Sequence, residues 1–284
     1  MIEPVPFPIG VCTWTFGDLP LAEIARKTAS LGLDGVELLG DLSRHSAREA
    51  KDILASAGLE IFSLTPTDAD LAHPDETIRG QGVDYYLQLL DFAAELGRPL
   101  VSCHGLVGRV AALTSMDQEM ALLASSVHQI AKAAQERGLR VVFEVLNRYE
   151  THTIHTCQQA VKFIDGLAVA NMGVLLDAYH MNIEESQPIK AIQEAGRLLW
   201  LYHAADSNRQ AIGRGHTDFE GQLNALRSAA YTGPIILECT APGPNPFTPI
   251  KDNDSYIWLE MYLSESLTWL QKKFSNRFKE SREK

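Results

Sequence analysis

The chain has 284 residues, 45% of them apolar and 21% charged, with a formal net charge of −11. This is an ordinary composition for a soluble globular protein with room for a substantial core. The acidic balance excludes a nucleic-acid partner, because phosphate binding needs clustered Lys and Arg.

No apolar run approaches the roughly 20 residues needed to span a bilayer, so no membrane association is expected. The opening MIEPVPFPIGVCTW lacks a basic region and a sustained apolar stretch, so no signal peptide is expected and a cytoplasmic location follows. Cys12, Cys103, Cys157 and Cys239 show no CxxC spacing, and three lie in apolar, strand-like runs, which suits buried free thiols in a reducing compartment. Residues 271–284 (QKKFSNRFKESREK) carry six basic and two acidic side chains. That basic C-terminal tail, essentially residues 272–284, reads as the frayed end of a last helix.

Short β-rich runs alternate with longer helical patterns. The first strand is read at residues 9–14 (IGVCTW) and a helix at 19–31, with apolar positions at helical spacing and a stop at Gly32. A strand follows at 35–39 (GVELL), a helix at 46–57 stopped by Gly58, and a strand at 60–64. Next come a helix at 78–96 ending at Gly97, a strand at 100–104, a helix at 117–137 ending at Gly138, and a strand at 140–144 (RVVFE). The second half reads helix 155–164, strand 172–177 (MGVLLD), helix 188–195, strand 198–203 (LLWLYH), helix 219–230, strand 235–238 and a closing helix at 255–273.

Alternation of this kind implies parallel strands joined by helical crossovers, and eight such units match a single (β/α)8 TIM barrel covering residues 1–284. A doubly wound open sheet would normally place a Gly-rich phosphate loop after its first strand. The first turn here, WTFGDLP, has one glycine and no such loop.

In a TIM barrel the active site forms where strands end and loops begin. Strands five to eight end in Glu144, Asp177, His203 and Glu238, each capping an apolar run (VVFE, VLLD, LWLYH, IILE). Any one of these residues could be a solvated strand terminus. Four in succession would converge near the barrel axis, where three carboxylates repel one another unless a cation neutralises them. Three carboxylates and one imidazole suit one divalent ion, Mn²⁺ foremost, with Mg²⁺, Co²⁺ or Zn²⁺ compatible. Strand alternation turns the neighbouring Cys103 and Cys239 away from the set.

The stretches FEVLNRYETH, LLDAYHMNIEE, HAADSNRQAIGRGHTDF and the Glu of ILECT, with GLDGVEL more loosely, resemble the xylose-isomerase-like barrels. Within them the chain looks most like the D-tagatose and D-psicose (allulose) 3-epimerases. The resemblance implies a metal-dependent sugar epimerase or isomerase acting on a free ketose or keto-polyol through a metal-stabilised enediolate. It implies Glu144, Asp177, His203 and Glu238 as metal ligands, with Glu144 and Glu238 also the catalytic acid/base pair. It implies Glu150, His180 and Arg209 as residues that hold the sugar's oxygens. Such chemistry needs two carboxylates on opposite faces of a weakly acidic C–H, and donors for the oxyanion that develops.

The chain departs from the epimerase pattern at His104, which ends strand four, while His216 and Asp218 add further ligand-type side chains. Together with His180 they resemble the extended zinc site of the endonuclease IV group, but His216 and Asp218 are read as groups that order their loop or support the ligands rather than as ligands. The strand-three end, LTPT, lacks the histidine that group would place there. The competing readings are therefore an inosose isomerase or dehydratase, a multinuclear-zinc phosphodiesterase, and a non-catalytic sugar-binding barrel. The intact Glu144–Glu238 pair argues against the last.

Trp14 and Phe16 are read as either an apolar wall beside the substrate or plain core, and Glu37 as ending strand two and pairing with a neighbouring cation. The loops at 65–77 and 241–254 carry substrate choice, the second stiffened by APGPNPFTP. The last helix has more aromatic and aliphatic side chains than one face needs, which suits a homodimer or homotetramer surface.

Overall fold

The structure, a computed structural model, describes residues 7–242 and 247–282, with side chains beyond Lys273 left undescribed. The strands are β1 (Ile9–Cys12), β2 (Gly35–Leu39), β3 (Glu60–Thr65), β4 (Leu100–Cys103), β5 (Val141–Glu144), β6 (Met172–Asp177), β7 (Leu199–Ala204) and β8 (Ile235–Leu237). The helices are α1 (Leu21–Ser30), α2 (Ala47–Ser56), α3 (Glu76–Leu96), α4 (Met116–Glu136), α5 (Cys157–Leu167), α6 (Ala178–Glu184), α7 (Pro188–Ala195), α8 (Phe219–Ser228) and α9 (Asn253–Arg282). All neighbouring strands pair in parallel, and the ring closes where Ile9–Val11 of β1 meet Ile235–Leu237 of β8. This is the expected TIM barrel.

Local chemistry explains the element boundaries. Side chains of Ser46, Asp75, Ser115 and Thr156 accept backbone N–H bonds at the starts of α2, α3, α4 and α5, with a full capping box between Thr156 and Gln159. At the other end of α3, Gly97 takes the left-handed conformation (φ 117°) that lets the chain turn back into β4.

Alternation along the strands builds two cores. Val36, Val141, Phe143, Val174 and Tyr202 belong to the large cluster between sheet and helices. The residues between them face the barrel interior, where Cys12, Leu100, Val142, Leu175, Leu201 and Ile236 form a separate cluster with Trp14, Phe62 and Trp200 against it. Trp200 and Phe62 fill the floor only because glycines face them. A Cβ on Gly173 would lie 2.4 Å from the Trp200 ring, and one on Gly35 2.6 Å from Phe62.

The interior pattern also places the chemistry. Two residues beyond Val142, Leu175, Leu201 and Ile236 come Glu144, Asp177, His203 and Glu238. The period of two therefore turns all four toward the axis, one layer above the apolar plug.

Several boundaries differ from the sequence expectation. The first strand stops at Cys12, and Thr13–Phe16 form a 3₁₀ turn because Thr15 Oγ1 donates to the Cys12 carbonyl and Thr13 Oγ1 accepts from Leu39 N. Helix α6 was not anticipated. Asp177 ends β6 and at once caps α6 by accepting from Tyr179 N at 2.8 Å, so no loop separates the two. The closing helix runs on to Arg282, through most of the segment read as a frayed tail. No helix among the described residues is long and apolar enough to cross a membrane.

Candidate metal centre

The structure brings Glu144, His203 and Glu238 together, each offering a donor atom within 4.8 Å of the others. His203 Nδ1 lies 3.7 Å from Glu144 and 3.5 Å from Glu238. The other ring nitrogen, Nε2, donates to Glu37 at 3.2 Å. Nδ1 has no hydrogen-bond partner although it is buried, and neither has Asp177 Oδ2. Asp177 lies beside the trio rather than within it, with Oδ2 3.5 Å from His180 Nε2 and 3.9 Å from Arg209. Two orphaned donors beside two carboxylates form a set that a divalent cation satisfies: hard oxygens, one imidazole nitrogen and no water-exposed alternative.

Electrostatics point the same way. Burial and the surrounding carboxylates push Glu144 well above the ordinary carboxylate range, against the opposing pull of His203. Burial and Glu238 raise Asp177 to about 7. Burial would raise Glu238 too, but Arg209 and His203 hold it low. The asymmetry follows from the donors. Glu238 receives Trp14 Nε1 at 3.0 Å and Arg209 at 3.4 Å, while among the described residues Glu144 receives Ser102 Oγ alone, at 3.4 Å. His203 gains protons despite burial because Glu37 and Glu238 flank it. So many buried acids without a full counter-charge make a site that protons or a metal must neutralise.

The sugar-binding candidates stand on the rim of the same centre. Arg209 stacks on Tyr179 at 4.4 Å, faces Glu238, and lies 3.9 Å from Glu150. Its backbone holds a positive φ of 56°, with its N–H bonded to the Asp206 carbonyl. Asn147 donates to His180 Nδ1 at 2.7 Å and to Glu150 at 2.9 Å, which leaves the proton on His180 Nε2, with Asp177 Oδ2 3.5 Å away. These groups share a cavity of about 350 Å³ with Trp14, Leu39, Thr65, Asp68, His104, Val107, Leu146 and Phe247. Its volume is at the small end of ligand pockets. A larger depression at the opposite end of the barrel, lined by Arg98, Arg140, Arg197 and Trp200, contains no acid or histidine. Its arginines follow the C-terminal ends of α3, α4 and α7, where helix dipoles attract cations.

Some expectations need correction. Glu37 does not end its strand; it sits inside β2, fully buried, accepting from Ser63 and Thr65 at 2.5 Å each as well as from His203. Its pairing with a cationic side chain agrees with the sequence reading. Phe16 is plain core and does not line the cavity, whereas Trp14 does. His216 is exposed and Asp218 caps α8 through Gly221 N, so neither approaches the centre and an extra metal there has no support. The cause is Asp206, whose carboxylate binds the backbone N–H groups of Ser207, Gly213 and Thr217 and folds the loop back on itself. The proline-rich segment contributes Phe247, which stacks on Trp14 at 5.8 Å; residues 243–246 lie outside the described residues.

Cys12 was not singled out by the sequence. Its thiol contacts Glu37 at 3.3 Å, and burial beside Glu37 and Glu238 keeps it protonated. It therefore acts as a weak donor beneath the centre.

Comparison with known proteins agrees with this architecture. Residues 25–272 match the family model described as xylose isomerase-like TIM barrel. A ketose 3-epimerase from Arthrobacter globiformis is 34% identical over 219 residues, 75% of each chain. A D-psicose 3-epimerase from Agrobacterium fabrum is 30% identical over 226 residues, 75% of this chain and 76% of the other. The crystal structure of the apo 3-keto-D-glucoside 4-epimerase from E. coli superposes with a TM-score of 0.81 at 25% identity, covering 94% of this chain and 99% of that one. The chain belongs to the xylose isomerase-like TIM barrel family.

Proposed function

We propose that the chain is a metal-dependent ketose 3-epimerase acting on a free ketose. The observation that carries this reading is the pair Glu144 and Glu238, set on either side of His203 in one buried cluster. Glu144, Asp177, His203 and Glu238 would hold one divalent cation, Mn²⁺ foremost. When bound, such an ion would polarise a carbonyl oxygen and offset two units of the site's negative charge.

The chain's own groups do the rest. One glutamate takes the proton from the carbon beside the carbonyl, the C–H electron pair moves into the C–C bond, and the carbonyl oxygen gains charge. Arg209 and His180 donate hydrogen bonds to that oxygen. The second glutamate returns a proton to the opposite face and inverts the centre. The two carboxyl groups have then exchanged protonation states, and solvent exchange resets them. Glu150 accepts a sugar hydroxyl beside Arg209. Trp14 and Phe247 keep water from the reacting carbon.

A second reading is a 4-epimerase of a 3-keto-glycoside, favoured by the near-complete overlap with the E. coli enzyme. The same proton chemistry serves both. The deciding assay incubates the protein, stripped and then resupplied with Mn²⁺, separately with D-psicose and with a 3-keto-glucoside. Metal-dependent appearance of D-fructose from D-psicose supports the first reading. Turnover of the keto-glucoside alone replaces it with the second.

A further inference from the structure

His104 directly follows β4 and lies across the barrel ring from β8. It is 4% exposed, lines the cavity, and its Nδ1 is buried without a hydrogen-bond partner. The other buried polar atoms without a partner there are Arg209 Nε, on the guanidinium assigned to the oxyanion, and Asp177 Oδ2 and His203 Nδ1, which belong to the proposed metal set. His104 does not: it follows β4, outside the run of strand ends from β5 to β8 that supplies that set. Burial lowers it to about 4, so it is a neutral imidazole with one donor and one acceptor nitrogen. A buried polar atom left unpaired is costly, and one that faces a ligand cavity is satisfied when a ligand supplies the partner.

The position indicates which part of the ligand that is. The strand ends of β5 to β8 are taken up by the acid/base pair, Asp177, His203, His180 and Arg209. The remaining wall comes from Leu39, Thr65, Asp68, His104 and Val107, at the ends of β2, β3 and β4. A sugar whose reacting carbon sits between Glu144 and Glu238 must extend along that wall. Along that wall the described residues offer one carboxylate, Asp68, and no Lys or Arg. Such a lining repels a phosphate and accepts neutral hydroxyls.

We propose that His104 hydrogen-bonds a hydroxyl at the non-reacting end of the substrate, which makes the site selective for the keto-sugar over the analogue that lacks that hydroxyl. This inference rests on the epimerase reading above and adds to it the residue that recognises the far end of the sugar.

The test compares wild type, His104→Ala and His104→Gln on D-psicose, its 4-, 5- and 6-deoxy analogues and its 6-phosphate. Metal content and thermal midpoint are measured for each protein. Wild type should turn over one deoxy analogue about tenfold more slowly than D-psicose, the scale of one hydrogen bond, and the 6-phosphate at least as poorly. His104→Ala should lose about the same factor on D-psicose and nothing further on that analogue, with metal content unchanged. His104→Gln, which keeps a donor and an acceptor, should recover part of the loss. Equal losses by His104→Ala on D-psicose and on all three deoxy analogues, or no loss at all, would overturn the assignment. Failure of the epimerase reading has a different signature. The wild type itself would then epimerise none of these sugars, and both proposals would fall together.

Discussion

Glu37 Oε2 accepts the Nε2 proton of His203 at 3.2 Å, and this bond aims Nδ1 at Glu144 and Glu238. A carboxylate behind a metal-binding imidazole fixes its tautomer and raises its basicity. Glu37→Gln keeps the volume and can still meet Ser63 and Thr65. It should weaken Mn²⁺ binding by about 10- to 100-fold, measured by calorimetric titration of the stripped protein. Unchanged affinity would mean that Glu37 only fills space.

Arg209→Ala should leave bound metal at the wild-type level and lower kcat/KM by about 10²-fold or more, the scale of losing a donor to a developing oxyanion. Arg209 can give no lone pair to a metal, and its stacking on Tyr179 presets its direction. Kinetics beside metal analysis check the split. Wild-type kcat/KM in the variant would make Arg209 a bystander.

The quartet at the strand ends was legible because each member closes an apolar strand, so period and position coincide. The cation pairing of Glu37 and the burial of Cys12 were legible too, but not their places beneath the centre, since both lie where only register decides which way a side chain points. A register shift between Val36 and Glu37 further hides the alternation in β2. Helix α6 escaped notice because Asp177 serves as strand end, cap and candidate ligand at once. His216 and Asp218 resembled ligands by type alone, and the Asp206 turn that carries them away depends on backbone N–H groups, which leave no trace in residue identity.

Gly173→Ala should destabilise the barrel without touching the metal centre. The added methyl would press on the Trp200 ring at 2.4 Å and on the Leu198 carbonyl at 2.7 Å. Overpacking of this kind costs about 1–3 kcal/mol, or several degrees in Tm for a chain of this size. Calorimetry checks it, and an unchanged Tm would show that the floor relaxes freely.

Glu119 is held at about 2, far below the ordinary 4.5. Burial opposes this, but Arg109 and the backbone N–H groups of Leu113 and Thr114 overcome it, and His152 lies 2.8 Å away. A lowered folded value stabilises the protein above the unfolded value, and that stability is lost as pH falls toward the folded one. Glu119→Gln should therefore cost on the order of 2–3 kcal/mol at pH 7, with the gap to wild type closing as the pH falls from about 4.5 toward 2. Urea unfolding across that window measures it. A gap that stays constant with pH would show that the charge is not what stabilises the loop.

The central claim is that Glu144 and Glu238 move a proton at the carbon beside a keto-sugar's carbonyl. NMR of D-psicose turned over in D₂O with Mn²⁺ tests it most directly. The account predicts deuterium at C3 in both recovered substrate and D-fructose, and none with Glu144→Gln or Glu238→Gln. D-fructose formed with its C3 hydrogen retained would contradict it.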